Sequence, residues 1–338
     1  MIYSSGVTSS ESHPGRWVLF SDLHLSDRSL DTCLEVLEAV HAVAERQGCP
    51  VAFLGDWWDI RGALPVRSLN ATMEALRQWS VPLWMIPGNH DQISIDGLTH
   101  GLSVYDELPG VTVVDEPERH PDCLDLLMVP YRRDHQEVVS AIARHRQGLR
   151  AVFAHVDTVG ARMNGHRLAK SGIQVSDVPD GVTLYTGHYH GAHGLARDGS
   201  IGPDPVIVYI GSLWQVSAAE EGQEKAILTV GGPHYEVIAR DVVDIGRRHH
   251  TVHDEWPDDV RPGDRVIYHC QEDPELPEHD GITVDIRKAP KAAIARISNE
   301  ESADPIKAWE KFSAASNFDK PFVDSGLELL REVTDAAS

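Results

Sequence analysis

The sequence predicts a layered α/β fold followed by a small α+β C-terminal region. Three observations predict it. Short apolar, β-rich runs recur through the first two thirds of the chain, stretches with helical spacing lie between them, and after about Asp244 both give way to acidic and proline-rich pieces. With 338 residues, 41% of them apolar, the chain can bury one large core and a smaller one.

In chain order, the expected strands are Trp17 to Phe20, Val51 to Leu54, Leu83 to Ile86, Ala151 to Ala154, Thr183 to Tyr185 and Val206 to Ile210. Leu30 to Arg46 and Leu69 to Gln78 space their apolar residues as helices do. Residues 1–243 form the first domain by this reading. Residues 244–338, with the strand-like I-T-V-D-I-R and a helical stretch from Pro305, form the appendage. Within that stretch W-E-K-F and L-E-L-L-R-E-V have amphipathic spacing.

Composition excludes some functions. A net charge of −22 argues against a broad basic surface that tracks nucleic acid. The four cysteines (Cys33, Cys49, Cys123, Cys270) are scattered without a C-x-x-C and read as reduced, mostly buried thiols. The polar N-terminus lacks a signal-peptide pattern, and no apolar run is as long as a membrane span. A soluble, intracellular protein with no membrane association is expected.

Each of the first five runs is followed, at once or after one residue, by potential ligands: S-D-L-H, G-D-W-W-D, G-N-H-D, H-V-D and G-H-Y-H. In open α/β sheets the loops at the carboxyl ends of strands share one crevice, so five such loops can converge. Asp22 and His24, like His188 and His190, stand two residues apart and face one way on an extended segment. Asp56 can bridge two cations through its two oxygens, Asn89 offers an amide oxygen, and His155 adds an imidazole.

Seven mixed N and O ligands are too many for one zinc and suit two divalent ions, with manganese, iron, zinc and magnesium all compatible. Two such ions roughly 3.5 to 4 Å apart favour in-line displacement at phosphorus, so phosphoester hydrolysis is the expected reaction. His90 belongs on the substrate side as a proton or hydrogen-bond donor, with Asp91 or another carboxylate orienting its ring. Asp59 and Asp157 read as acceptors for the outer N–H groups of metal-bound imidazoles. Trp57 and Trp58 read as packing, and His166, His193, His249 and His250 as ordinary histidines.

The motifs D-x-H, G-D-x-x-D, G-N-H-D, a lone H and G-H-x-H, in this order from Asp22 to His190, resemble the calcineurin-like metallophosphoesterases. The resemblance implies a two-sheet β-sandwich flanked by helices (α/β/β/α) with a small α+β C-terminal cap. It also implies one metal held by Asp22, His24, Asp56 and His190, and a second by Asp56, Asn89, His155 and His188. His90 would act on the substrate.

Three longer stretches are similar to phage-type members of the SbcD recombination nuclease family: G-D-W-W-D-I-R-G-A-L-P-V-R-S-L-N-A-T, H-V-D-T-V-G-A-R-M-N-G-H-R, and Y-I-G-S-L-W-Q-V-S-A-A-E-E-G-Q-E-K-A-I-L-T-V. This finer resemblance implies a manganese-dependent DNA exonuclease and single-strand endonuclease. Such a protein is a homodimer working with an SMC-like coiled-coil ATPase of the SbcC type, in the cytoplasm of a bacterial cell or encoded by a phage. Where family members often carry a histidine shortly after the bridging aspartate, this chain has Trp58 and Asp59.

Arg132, Arg133, Arg162 and Arg167 are the candidate DNA-phosphate contacts. Two other functions use parts of the same residue set: a free-standing phosphoesterase acting on small diesters or phosphoproteins, and a non-catalytic metal-bound scaffold.

Overall fold

The computed structural model describes residues 15–163, 167–253, 255–270, 275–278, 280–288, 305–316, 320, 323–327 and 330. The polar N-terminal segment to residue 14, His166 and residues 331–338 of the expected terminal helix lie outside the described residues.

The first large sheet has the order β12-β11-β1-β2-β3-β4. It comprises β1 (Trp17–Phe20), β2 (Val51–Leu54), β3 (Leu83–Ile86), β4 (Val111–Val113), β11 (Lys225–Gly231) and β12 (Glu236–Val243). The second has the order β5-β6-β7-β8-β10-β9. Its strands are β5 (Glu118–Arg119), β6 (Leu126–Val129), β7 (Ala151–Ala154), β8 (Thr183–Thr186), β9 (His193–Leu195) and β10 (Ile207–Tyr209). A third sheet contains β13 (His249–His253), β14 (Arg265–Cys270) and β15 (Thr283–Lys288).

Strands β1 to β4 are parallel, as are β6, β7, β8 and β10. Parallel strands are covered on both faces, so their sequences are continuously apolar rather than alternating. The two faces remain separable by residue. Trp17, Leu19, Ala52, Leu54 and Ile86 of the first sheet pack against Leu126, Met128, Ala151, Phe153 and Tyr185 of the second.

The intervening residues face helices. Val18, Phe20, Val51 and Phe53 share a core with α1 (Leu30–Gln47), whose Cys33, Val36, Leu37, Val40 and Ala44 recur at helical spacing. The same core takes Leu76 of α2 (Val66–Arg77). On the other side, Leu127, Val129, Val152 and Ala154 pack on Val138 and Ile142 of α3 (His135–Arg144). The layers are therefore α/β/β/α. Each fully buried Leu, Val or Phe contributes roughly 1.5–3 kcal/mol, so the three clusters together fix the strand ends on which the ligand loops ride.

The chain divides into two compact units. The larger comprises residues 1–251, 259–266 and 280–283, and contains both large sheets. The smaller comprises residues 252–258, 267–279 and 284–338, and includes the helix α4 (Pro305–Ser316). No described helix is long and apolar enough to cross a membrane.

Candidate metal centre

Five parallel strands, β1, β2, β3, β7 and β8, end in the ligand loops, and the loops converge. The carboxylate and imidazole atoms of Asp22, His24 and His190 lie within 4.8 Å of one another, as do those of Asp56, His155 and His188. Nε2 of His24 and Nε2 of His190 are 3.0 Å apart. The amide oxygen of Asn89 lies 3.0 Å from Nε2 of His155 and 2.7 Å from Nδ1 of His188. Oδ2 of Asp56 stands between the two groups, 3.5 Å from Nε2 of His155 and 4.0 Å from Nε2 of His24.

Three of the four imidazoles have a hydrogen-bond acceptor on the outer side, and that acceptor sets which nitrogen faces inward. Nδ1 of His155 donates to the Leu54 carbonyl at 2.7 Å. Nε2 of His188 donates to Asp157 at 2.9 Å, and Nδ1 of His190 donates to Glu220 at 3.0 Å. Nδ1 of His24 lies 3.4 Å from Asp59, close enough for a charge interaction but too long for a well-formed hydrogen bond. In the neutral rings of His155, His188 and His190 three lone pairs therefore point at the centre, and Nε2 of His24 faces the same place. This donor set, with two carboxylates and an amide oxygen, fits two divalent cations.

The loops are strained where the ligands sit. Six described non-glycine residues have positive φ, and four of them are Asp22 (52°), His24 (48°), Asp56 (62°) and His188 (86°). Such backbone persists only where the surroundings over-determine it, and it concentrates at functional sites. Glycine permits the close approach. A Cβ on Gly55 would stand 2.3 Å from Nδ1 of His155, and one on Gly88 would stand 2.2 Å from the Asp56 nitrogen.

Charge follows the same geometry. Burial opposes ionisation of Asp56, but His155 and His24 outweigh it and hold this carboxyl far below the usual range. Burial likewise opposes protonation of His155, yet Asp56 raises it to about 9. His24 is raised because Asp59, Asp56 and Asp22 overcome its burial. Asp157 and Glu220, both desolvated, are held low by their histidine partners, with Lys225 assisting at Glu220. A centre that attracts protons this way is built for positive charge.

His90 is half-buried, its ring in edge contact with that of His24 at 4.9 Å between centroids. Its Nδ1 lies 2.8 Å from the Asp59 carbonyl. A carbonyl only accepts, so Nδ1 carries hydrogen and Nε2 is the nitrogen that can gain or lose a proton. Asp91 does not orient this ring. It is buried, and its oxygens accept from the backbone N–H groups of Asp56, Trp58 and Gly88. Asp91 thus ties the second ligand loop to the third, and burial together with the Asp56 charge pushes its pKa up.

Asp59 lies against His24, and Asp157 accepts from His188. Trp57 and Trp58 are buried and donate to Tyr105 and the Gly101 carbonyl, so both are packing residues. The four arginines separate. Arg132 is buried, with its guanidinium donating to the carbonyls of Tyr131 and Asp115, so it is engaged within the fold rather than free for a substrate. Arg133 lines a cavity that also takes in Asn89. Arg162 and Arg167 are exposed on the loop that follows the His155 strand.

Sequence reasoning missed Glu220. Oε1 of Glu220 accepts from His190, and Oε2 accepts from Lys225 at 2.7 Å and Ser212 at 2.9 Å. The available signal was the S-A-A-E stretch from Ser217 to Glu220, a capping box that fixes the carboxylate locally.

No curated protein matches the chain in sequence. Among solved structures it is similar to an archaeal phosphodiesterase, at 12% identity over 68% of this chain and 99% of that one, with a TM-score of 0.35. It is also similar to GAP50, the anchor in the inner membrane complex of Plasmodium, at 9% identity over 69% and 89%, with a TM-score of 0.40. The calcineurin-like phosphoesterase profile matches residues 15–195, more than half of the sequence and all five ligand loops, and the chain belongs to that family.

Proposed function

We propose that the protein is a dinuclear-metal phosphodiesterase acting on DNA, the nuclease subunit of an SbcCD-like recombination and repair complex with 3′–5′ exonuclease and single-strand endonuclease activity. The observation that carries the phosphodiesterase reading is the ring of four imidazoles around the shared Asp56, three of them with an outward hydrogen-bond acceptor and His24 with the Asp59 carboxylate beside it. When bound, two divalent ions supply Lewis acidity and a water of lowered pKa. Manganese is the ion implied by the nuclease resemblance.

The chain's own residues do the rest. Asp56 keeps its charge against burial and sits between the two ligand groups. Asn89 adds an uncharged oxygen between His155 and His188. His90, with Nδ1 tied to the Asp59 carbonyl, presents Nε2 as the group that hands a proton to the leaving oxygen.

Support for DNA as the substrate comes from the segment after the H-x-H motif. The residues similar to the SbcD nucleases include Ser212, Ser217, Glu220 and Lys225, and these hold the His190 ring. A partner ATPase and a homodimer belong to the same reading, with residues 244–338 as the capping and docking region. The net charge of −22 favours a second reading, a free-standing enzyme on small diesters or phosphoproteins.

The test is hydrolysis of end-labelled single- and double-stranded DNA beside bis-p-nitrophenyl phosphate, with manganese, magnesium or chelator. Metal-dependent DNA degradation that is lost in His90→Asn supports the nuclease. Hydrolysis of the small diester with DNA left intact, even with an SMC-like ATPase added, would sink it.

A further inference from the structure

A cavity of about 400 Å3 opens beside Asn89, lined by Arg61, Ile93, Ile95, Tyr131 and Arg133 among others. Arg61 and Arg133 are exposed, and neither has an ion-pair partner among the described residues. Both line the same cavity as Asn89, whose amide oxygen faces His155 and His188.

Tyr131 connects the cavity to the metal centre. Its ring lies 6.1 Å from that of His155 and 6.2 Å from that of His188. Its backbone N–H donates to the Pro87 carbonyl, one residue before the G-N-H-D motif, and its carbonyl accepts from Gln92. Arg61 and Arg133 line the same cavity as this ring. On the same wall Ile93 and Ile95 are 58% and 76% exposed, large apolar side chains left in water.

Cations, one positioned aromatic ring and an apolar wall are the features that bind a nucleotide: the guanidiniums take phosphate and the ring takes a base. We propose that this cavity is a nucleotide subsite, in which Arg61 and Arg133 hold the phosphate next to the one at the metal centre and Tyr131, Ile93 and Ile95 carry the base. The assignment rests on the phosphodiesterase reading and adds to its DNA substrate the residues that take the neighbouring phosphate and the base. Arg132 is excluded from the subsite because the fold consumes it.

Two measurements test the subsite. The first compares KM and kcat for thymidylyl-thymidine, the same dinucleotide bearing a terminal phosphate, and bis-p-nitrophenyl phosphate, in wild type, Arg61→Gln/Arg133→Gln and Ile95→Ser. The terminal phosphate should lower KM at least tenfold in wild type. The double variant should lose that advantage, with the loss in KM rather than kcat and at least tenfold larger than for bis-p-nitrophenyl phosphate. Ile95→Ser should raise KM for both dinucleotides several-fold.

The second is calorimetric binding of thymidine monophosphate, thymidine and inorganic phosphate to chelator-treated protein, which needs no turnover. If no diester is hydrolysed while mononucleotide binding still depends on both arginines, the phosphodiesterase reading falls and the subsite stands. If diesters are hydrolysed but the double variant binds the mononucleotide within twofold of wild type, the subsite alone is overturned. Inorganic phosphate binding as tightly as the mononucleotide would also overturn it.

Discussion

Glu220 accepts a hydrogen bond from Nδ1 of His190 at 3.0 Å and is itself held by Nζ of Lys225 at 2.7 Å. The pair sets the tautomer of a metal-facing ring from the far side of the H-x-H loop. Removing such an acceptor typically costs 10–100-fold in metal affinity while leaving the ligands in place. Glu220→Ala should therefore weaken one metal site by about that factor. Competitive chelator titration reads this directly, and an unchanged affinity would contradict the role.

Lys225→Met should lower the stability of the fold. It leaves the buried carboxylate of Glu220 without its cation, and breaking a buried pair from one side costs roughly 3–5 kcal/mol. The expected result is a lower midpoint in denaturant at an unchanged m-value. A midpoint equal to wild type would show that His190 and Ser217 satisfy Glu220 unaided.

Six strands of the two large sheets and the seven candidate ligands that the loops bring together were legible in the sequence because both are local facts. Buried parallel strands read as apolar runs, and ligands sit at the strand ends. What was not legible is what arrives from far along the chain. Glu220 reaches His190 across 30 residues, and the Leu54 carbonyl reaches His155 across 101. Asp91 misled for the same reason: its neighbour in sequence is His90, but its partners are backbone groups on two loops. The arginines separated only by burial, since Arg132 and Arg133 are identical side chains whose neighbours decide their use. Helix α3 and the short edge strands β5 and β9 lack the long periodic or apolar signal that marks the others.

His90→Asn should keep its metals and lose most turnover. Asparagine can still meet the Asp59 carbonyl, but it cannot hand over a proton, and positioned proton transfer contributes roughly 10²–10⁴-fold. Metal content by plasma emission should match wild type while kcat falls into that range. Activity within a factor of a few of wild type would remove His90 from the chemistry.

Asp56→Asn should weaken both metals together, because Oδ2 of Asp56 faces His155 and His24 alike. The substitution removes charge without changing shape. Quantitative metal analysis after dialysis should show parallel loss at both sites. Loss of one metal alone would mean that Asp56 does not bridge.

Metal removal should expose a pH dependence of the opposite sense to that of an ordinary carboxylate pair. In the folded metal-free protein His155 titrates at about 9, above its ordinary 6.5, because Asp56 stabilises the imidazolium against burial. A raised folded value means that the stabilisation is complete below about 6.5 and is lost as pH rises through 9. The chelator-treated protein should therefore melt several degrees lower at pH 9.5 than at pH 6.5. Because bound metal takes the place of that proton, the loaded protein should lose less stability over the same interval. Metal binding near pH 7.5 should release protons, visible as a calorimetric heat that scales with buffer ionisation enthalpy. A heat independent of buffer would show that His155 is already neutral in the metal-free protein, and the pairing with Asp56 would then not be what readies the site for a cation.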